Sequence, residues 1–279
     1  MPKIRLVQGL LFSSVVGLLA YRRRSLSRSG LLGAMIAGTT TVGFGGWKWG
    51  LSLIFFFVSS SLFSHFRARD KEQLAADKFS KGSRRDIVQV AANGGVATLL
   101  ALAYGATPET EQRRREALEA SYVGSLAAAT ADTWATELGV LSTHAPRLIT
   151  TGEQTEPGTS GGVTVMGSTA AATGAAALGL VFWLLGRADR AQRSLPFIAL
   201  VSGLLGGFFD SWLGATVQAT YYCPICKKET EREVHSCGTL TILRRGYPWM
   251  NNDTVNFLAT FWGALVALAL HLCLRRGKR

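Results

Sequence analysis

The sequence predicts an all-α fold, a polytopic transmembrane helix bundle of about seven or eight spans, and three observations carry that reading. Of 279 residues, 48% are hydrophobic and only 17% charged, with a mean hydropathy of +0.20, whereas roughly a quarter of an average soluble chain is charged. The charges stand in short clusters separated by long uncharged windows. Most of these windows approach the roughly 20 residues needed to cross ~30 Å of hydrocarbon. The same composition excludes a disordered chain, a disulfide-dense secreted mini-domain and a collagen-like fibre: apolar content is high, there are 4 cysteines, and the 31 glycines show no strict period. A net charge of +12 would point to nucleic acid in a soluble protein. Here the basic residues crowd the ends of apolar runs, so membrane lipid head groups and topology account for them, and no nucleic-acid partner is expected.

Taken in order, the uncharged windows are 6–21, 30–46, 50–66, 87–106, 121–141, 159–186, 195–222 and 254–274. The first three are short, and Lys48 between Trp47 and Trp49 reads as an interfacial turn between the second and third. Lys3 and Arg5 before an apolar run resemble a signal peptide, but no small-x-small cleavage site follows, and Arg22, Arg23, Arg24 and Arg28 come directly after. The segment is read as a retained anchor. Taking those arginines as cytosolic and alternating thereafter puts loops 67–86, 142–158 and 223–253 on the cytosolic side. The opposite side, with the basic stretch 275–279, is nearly as basic, so charge bias sets the orientation weakly. Residues 1–279 are read as a single polytopic membrane domain with 223–253 as an extramembrane loop. Integral, multi-pass membrane residence is expected, with the endoplasmic reticulum as a guess at the membrane.

Three carboxylates fall inside otherwise apolar windows: Asp132, Glu137 and Asp210. An acidic residue near a helix centre costs ~2.5–3.5 kcal/mol to insert, so three represent on the order of 8–10 kcal/mol that a passive anchor would not carry. They are expected to face a cavity, a cation or one another. The aspartates share surroundings: Asp132-Thr133-Trp134 and Asp210-Ser211-Trp212 each follow a run of small residues, which hints at an internal repeat bringing two half-sites together. On a regular helix Asp132 and Thr136 share one stripe with Ser125, while Thr133 and Glu137 lie about 140° away, so Asp132 and Glu137 do not make a paired acid and base. Gly203, Gly207, Asp210, Gly214 and Gln218 form one small, polar face that permits close helix approach. Gln89 and Asn93, one turn apart, add an amide face. The plain alternative for the amides and hydroxyls is hydrogen bonding between helices.

Two loops carry recognisable chemistry. Gly158, Thr159, Ser160, Gly161 and Gly162 follow Pro157 directly before an apolar window, where backbone N–H groups, hydroxyls and a helix start would form a phosphate-binding cradle. The same residues also suit an ordinary helix start. Cys223, Cys226, His235 and Cys237 pair a C-x-x-C with an H-x-C and can close a tetrahedral structural zinc site, with reduced thiols or a disulfide as alternatives. Four protein ligands would close that site to water, leaving catalysis elsewhere. Cys273 reads as a small apolar residue. Asn251, Asn252, Asp253 and Thr254 suit a cap for the last helix, with Asn256 one turn in and free to face a central site. Lys78, Lys81, Arg84 and Arg85 read as a basic flank able to attract phosphorylated lipid or nucleotide, or simply as a solvated positive end.

The run Ala129-Thr130-Ala131-Asp132-Thr133-Trp134-Ala135-Thr136-Glu137-Leu138-Gly139, the 158–162 loop, the segment from Gly206 through Asp210 to Gln218, and Asn251 to Asn256 together resemble the transmembrane protein 19 family. The resemblance covers most of the chain from about residue 30. That family consists of multi-pass membrane proteins and includes the plant enzyme phytyl phosphate kinase, which makes the diphosphate of an isoprenoid alcohol. The same segment is more distantly similar to CTP-using polyprenol kinases and phosphatidate cytidylyltransferases, whose pattern is Asp-x-x-Ala followed by Lys-Thr-x-Glu-Gly-Thr. Asp132 and Ala135 match its first half, and Thr155, Gly158 and Thr159 its second, while Gln154 replaces its Lys and Pro157 its Glu.

The resemblance implies a CTP- or ATP-dependent kinase of an isoprenyl or lipid phosphate. Asp132 and Asp210 would hold Mg²⁺, the 158–162 loop would bind phosphate oxygens, and Glu137 would orient a water or the acceptor. The implied partners are a nucleotide and an isoprenyl phosphate. The rival readings are a transporter or ion pathway using the same aspartates, and a scaffold without chemistry. They separate on one observation: whether the aspartates meet the 158–162 loop near one end of the bundle or line a mid-depth cavity away from it.

Overall fold

The computed structural model describes residues 2–75, 84–189 and 192–276. Lys78 and Lys81 of the basic flank, and 277–279 of the basic C-terminal stretch, lie outside the described residues. The helices are α1 (Pro2–Arg22), α2 (Arg28–Thr40), α3 (Trp47–His65), α4 (Ala68–Ala75), α5 (Ile87–Ala106), α6 (Gln112–Gly139), α7 (Val165–Leu185), α8 (Leu195–Thr216) and α9 (Asn252–Arg276). Each uncharged window corresponds to one of them, and 87–106 coincides with α5 because Asp86 and Gln89 form a reciprocal capping box at its start. Two small sheets complete the chain. β1 (Arg147–Leu148) pairs with β2 (Gly162–Val163), and β3 (Thr220–Cys223) lies between β4 (Lys228–Thr230) and β5 (Ile242–Arg245), all antiparallel.

The protein is a helical, integral multi-pass membrane protein. Among the described residues, five helices, α1, α5, α7, α8 and α9, are by themselves long and apolar enough to cross a membrane, and α3 with α4 makes a sixth if that pair, bent by 70°, is one span. Two further windows miss that length and apolarity for different reasons. Helix α2 runs 13 residues before a π-helical turn at Thr41–Gly45, and Gly46, at φ 91°, then breaks the path before α3. Helix α6 has the length, 28 residues, but carries charged and polar groups, which it can hold because other helices surround it.

Helix α6 is the axis of the bundle. Every residue from Glu119 to Ala131 is buried, and α5, α7, α8 and α9 pack round it. The alanine run 127–129 lets neighbours approach closely. A Cβ added at Gly206 of α8 or Gly263 of α9 would collide with Ala128 Cβ, so these crossings require glycine. The aromatic core sits at the other end of α6, where Trp49, Tyr122 and Phe182 pack with ring centroids 4.1 Å (Trp49–Tyr122) and 6.2 Å (Trp49–Phe182) apart. The Tyr122 hydroxyl donates to Trp49 O at 2.6 Å. Trp49 is therefore a core residue, not the interfacial anchor expected beside Lys48, while Trp47 stays half-exposed against Phe12. Lys48 turns inward too, donating to Glu119 Oε1 at 2.9 Å.

Candidate functional site

Alternating helix direction brings the end of α3, the start of α5, the end of α6, the start of α7, the end of α8 and the start of α9 to one end of the bundle. Described residues of the three loops that sequence alternation assigned to a common side meet there. A cavity of about 580 Å³ lies among them. Asp132 stands seven residues before the end of α6 and Asp210 six before the end of α8, about 10 Å and 9 Å from those ends at 1.5 Å per residue.

Both aspartates line the cavity, and their carboxylates are within hydrogen-bonding reach of each other. The glycine face of α8 explains the approach, since Gly207 lies against Ala131 and the Asp132 backbone. Asp210 Oδ2 is buried and lacks a hydrogen-bond partner among the described residues. Two carboxylates this close repel unless a proton or a cation lies between them. The oxygen-only donors and the unpartnered Oδ2 fit a hard divalent cation such as Mg²⁺. Their tryptophans do not match as two equal half-sites would: Trp134 Nε1 donates to Ser59 Oγ at 3.3 Å, whereas Trp212 points outward and stacks on Phe209.

Glu137 also lines the cavity but is engaged. It makes a close ion pair with Lys71 of α4 and accepts from Ser64 Oγ at 2.6 Å. Lys71 donates in turn to Phe63 O at 2.7 Å and Ser64 O at 3.1 Å. Arg85, beside them, donates to Ser61 Oγ at 2.8 Å. Burial lowers its guanidinium pKa from the ordinary value, and Glu137 opposes that shift. Lys71, Arg85 and Arg232 line the cavity together with the acids Glu72 and Glu231, so both signs of charge stand round the aspartate pair.

Gly158, Thr159, Ser160, Gly161 and Gly162 line the same cavity, yet they do not present the expected row of open amides. Thr159 N donates to Glu156 O at 3.2 Å and Gly162 N to Thr159 O at 2.9 Å. Gly161, at φ 86°, lies against the backbone of α8, where an added Cβ would come within 2.6 Å of Ala215 N. Nor does the loop start the helix: β2 intervenes, and Thr164 caps α7 by accepting from Gly167 N at 2.9 Å. The loop is a turn docked on α8, and Ser160 is its polar tip, donating to Glu231 Oε1 at 2.9 Å.

The amides behave similarly. Gln89 and Asn93 line the cavity, but Gln89 Oε1 accepts from Asp86 N at 3.1 Å and Asn93 Nδ2 donates to Gln89 O at 3.1 Å. Gln218, buried just past α8, donates to Glu231 Oε1 at 2.7 Å. Asn252 and Asn256, one turn apart on α9, both reach the cavity, whereas Asp253 is not among its lining residues. Asn251 does the capping, accepting from Thr254 N at 3.0 Å.

Lys71, Glu72, Glu231 and Arg232 are the charged lining groups that sequence reasoning missed. Only the tertiary pairing of Lys71 with Glu137, and the fold of the 220–245 hairpin over the loop, bring them in. In that hairpin the ligand atoms of Cys223, Cys226, His235 and Cys237 lie within 4.8 Å of one another.

The sequence profile of the family described as "Integral membrane protein DUF92" matches residues 11–264. Similar curated proteins include "Protein PGR" of Arabidopsis thaliana, 32% identical over 276 residues, with 92% of this chain and 93% of the relative covered. Another is "Uncharacterized membrane protein MJ0933" of Methanocaldococcus jannaschii, 30% identical over 273 residues, covering 97% and 96%. "Uncharacterized membrane protein sll0875" of Synechocystis is 28% identical over 227 residues, covering 81% and 74%. No solved structure matches the chain.

Proposed function

The chain belongs to the DUF92 family of integral membrane proteins, and we propose that it is a membrane-embedded phosphotransferase acting on an isoprenyl or related lipid phosphate with CTP or ATP as donor. The observation that carries the proposal is a single cavity joining Asp132 and Asp210 to the 158–162 loop, with Arg85 and Arg232 in its lining. A transport site would set the aspartates at mid-depth and away from that loop; their place about two helical turns from one end supports the enzyme reading.

The residues divide the work by chemistry. Asp132 and Asp210 would hold Mg²⁺, which when bound offsets their charge and neutralises the transferred phosphoryl group. Arg85 and Arg232 would attract the phosphates of donor and acceptor, while Lys71 spends its three donors on Glu137, Phe63 O and Ser64 O. These two arginines make good the charge lost where Gln154, exposed and outside the cavity lining, replaces the lysine of the distantly similar kinases. Glu137, tied to Lys71, holds that cation in place and is not open to orient a water. Leu204 and Phe208 line the cavity on α8, and Phe208 is also exposed on the bundle surface, so an apolar tail has a side approach from the bilayer.

Purified protein in nanodiscs, supplied with CTP or ATP and a series of polyprenyl monophosphates, should form the diphosphate, and Asp132→Asn should not. Absence of turnover with every donor and acceptor, in a preparation shown to be folded, overturns the proposal.

A further inference from the structure

We propose that the hairpin formed by β3, β4 and β5 binds one Zn²⁺ through Cys223, Cys226, His235 and Cys237, and that this ion holds Glu231 and Arg232 over the cavity. The assignment is independent of phosphate transfer and stands if the bundle has another activity.

The ligands arrive on two turns. The first joins β3 to β4: Cys223-Pro224-Ile225-Cys226 closes with Cys226 N donating to Cys223 Sγ at 3.4 Å and Lys227 N to Cys223 O at 2.9 Å, and Lys227 sits at φ 55°. An amide aimed at a cysteine sulfur supports the thiolate a metal needs. The second turn, His235-Ser236-Cys237-Gly238, closes with Gly238 N donating to His235 O at 2.8 Å, with Gly238 at φ 84°. The two turns face each other, with Cys223 Sγ 3.7 Å from Cys237 Sγ and Cys237 Sγ 3.1 Å from His235 Nδ1. A Zn–S bond of about 2.3 Å implies tetrahedral S···S edges of about 3.7–3.8 Å. The observed sulfur separation is that edge, whereas a disulfide needs about 2.05 Å.

The hairpin also needs such a staple. Ile225, Leu240 and Ile242 are exposed, so the three strands enclose little apolar core of their own. Modules under ~40 residues seldom hold by burial alone and use a metal or disulfide instead. Once fixed, the module reaches the site at two points. Glu231 Oε1 accepts from Ser160 Oγ at 2.9 Å and Gln218 Nε2 at 2.7 Å. Arg245 donates to Gly214 O at 2.9 Å and to Ala215 O, placing a positive charge on the end of α8 where carbonyls lack helical partners.

The test is the metal content of the full chain, purified in detergent without chelator. One zinc per chain is expected, with Cys226→Ser and His235→Ala each falling to background while eluting as the same monodisperse species. Cobalt substitution should give a thiolate-to-cobalt charge-transfer band and the visible bands of tetrahedral Co²⁺, and alkylation should reach Cys273 but spare the three hairpin thiols until the metal is stripped. Stripping should speed amide exchange over 220–245 and leave α6 unchanged. Background metal in the wild type with all thiols open to alkylation overturns the proposal, as does a disulfide-linked peptide pair among Cys223, Cys226 and Cys237, or stoichiometric zinc retained by Cys226→Ser.

Discussion

Asp210→Asn replaces one of two touching carboxylates with a neutral amide, and the structure gives the sign of two separate effects. Without divalent cation the variant should be more stable than the wild type. Two unit charges about 4 Å apart repel by about 4 kcal/mol at an effective dielectric near 20, and a shared proton relieves most of that, leaving a gain of about 1–2 kcal/mol for the variant. The new amide also suits the site, because its N–H₂ can donate to Asp132, within hydrogen-bonding reach, where Oδ2 has no partner among the described residues. At roughly 2–4 °C per kcal/mol, midpoints in EDTA should rise by roughly 2–8 °C. With Mg²⁺ at about 100 times its Kd the wild type gains ≈2.7 kcal/mol, and the variant should lose nearly all of that response. Intrinsic tryptophan fluorescence melts in nanodiscs, with EDTA or with MgCl₂, read both effects in one experiment. If Asp210→Asn melts below the wild type in EDTA, and the wild type is itself indifferent to Mg²⁺, then each acid is satisfied locally and the cation site does not exist.

Other substitutions probe the supports of the site. Lys71→Met should destabilise by about 1–3 kcal/mol because it leaves the half-buried Glu137 without its partner cation, and adding Glu137→Gln should restore part of the loss, read as midpoint shifts in the same melts. Gly161→Ala should cost about 1–3 kcal/mol and lower turnover, since both its φ of 86° and the backbone of Ala215 exclude a Cβ; a double with Ala215→Gly should recover little, because the φ penalty remains. Tyr122→Phe should cost about 1 kcal/mol by removing one of two side-chain donors to Trp49 O, which keeps Ser52 Oγ at 2.8 Å, with kcat and KM unchanged because the site lies at the other end of the bundle.

What the sequence discloses about this chain follows from which forces are local. Apolar runs bounded by charge are local, so 87–106 reads correctly as α5 and the Asp86–Gln89 box marks its start. The insertion penalty of a buried acid is local too, which is why Asp132 and Asp210 stand out before any coordinates. Their meeting is not local: it follows from the glycine face of α8 docking on α6. Helix α6 is too polar to pass as a span on hydropathy alone because its environment is other protein, not lipid, yet it runs the length of the bundle among its neighbours. The 158–162 loop misleads in the opposite direction. Its composition suits a cradle, but the fate of its amides depends on the turn, which engages Thr159 and Gly162 within the loop and packs Gly161 on Ala215. Lys71 is unreadable because a lysine in a charged stretch looks solvated until Glu137, 66 positions on, is seen to hold it.

The opposite end of the bundle supplies the comparison that gives the aspartate pair its meaning. There Glu119 is buried as well, but Lys48 donates to its Oε1 at 2.9 Å, Gln192 Nε2 donates to its other oxygen, and Lys48 also reaches Gln192 Oε1 at 3.3 Å. The charge is matched by an opposite charge and both oxygens are bonded, which is how a bundle keeps an ion inside for structure alone. Asp132 and Asp210 have the contrary arrangement, like charge against like charge with one oxygen unpartnered. The two clusters should therefore respond oppositely to the same chemistry. Glu119→Gln should lower the melting midpoint, by about 1–3 kcal/mol for a half-buried lysine that loses its carboxylate, in EDTA and in Mg²⁺ alike, while Asp210→Asn raises it in EDTA and erases the Mg²⁺ response. Equal destabilisation by both, insensitive to Mg²⁺, would make the aspartates a second structural cluster and remove the physical basis for a cation there.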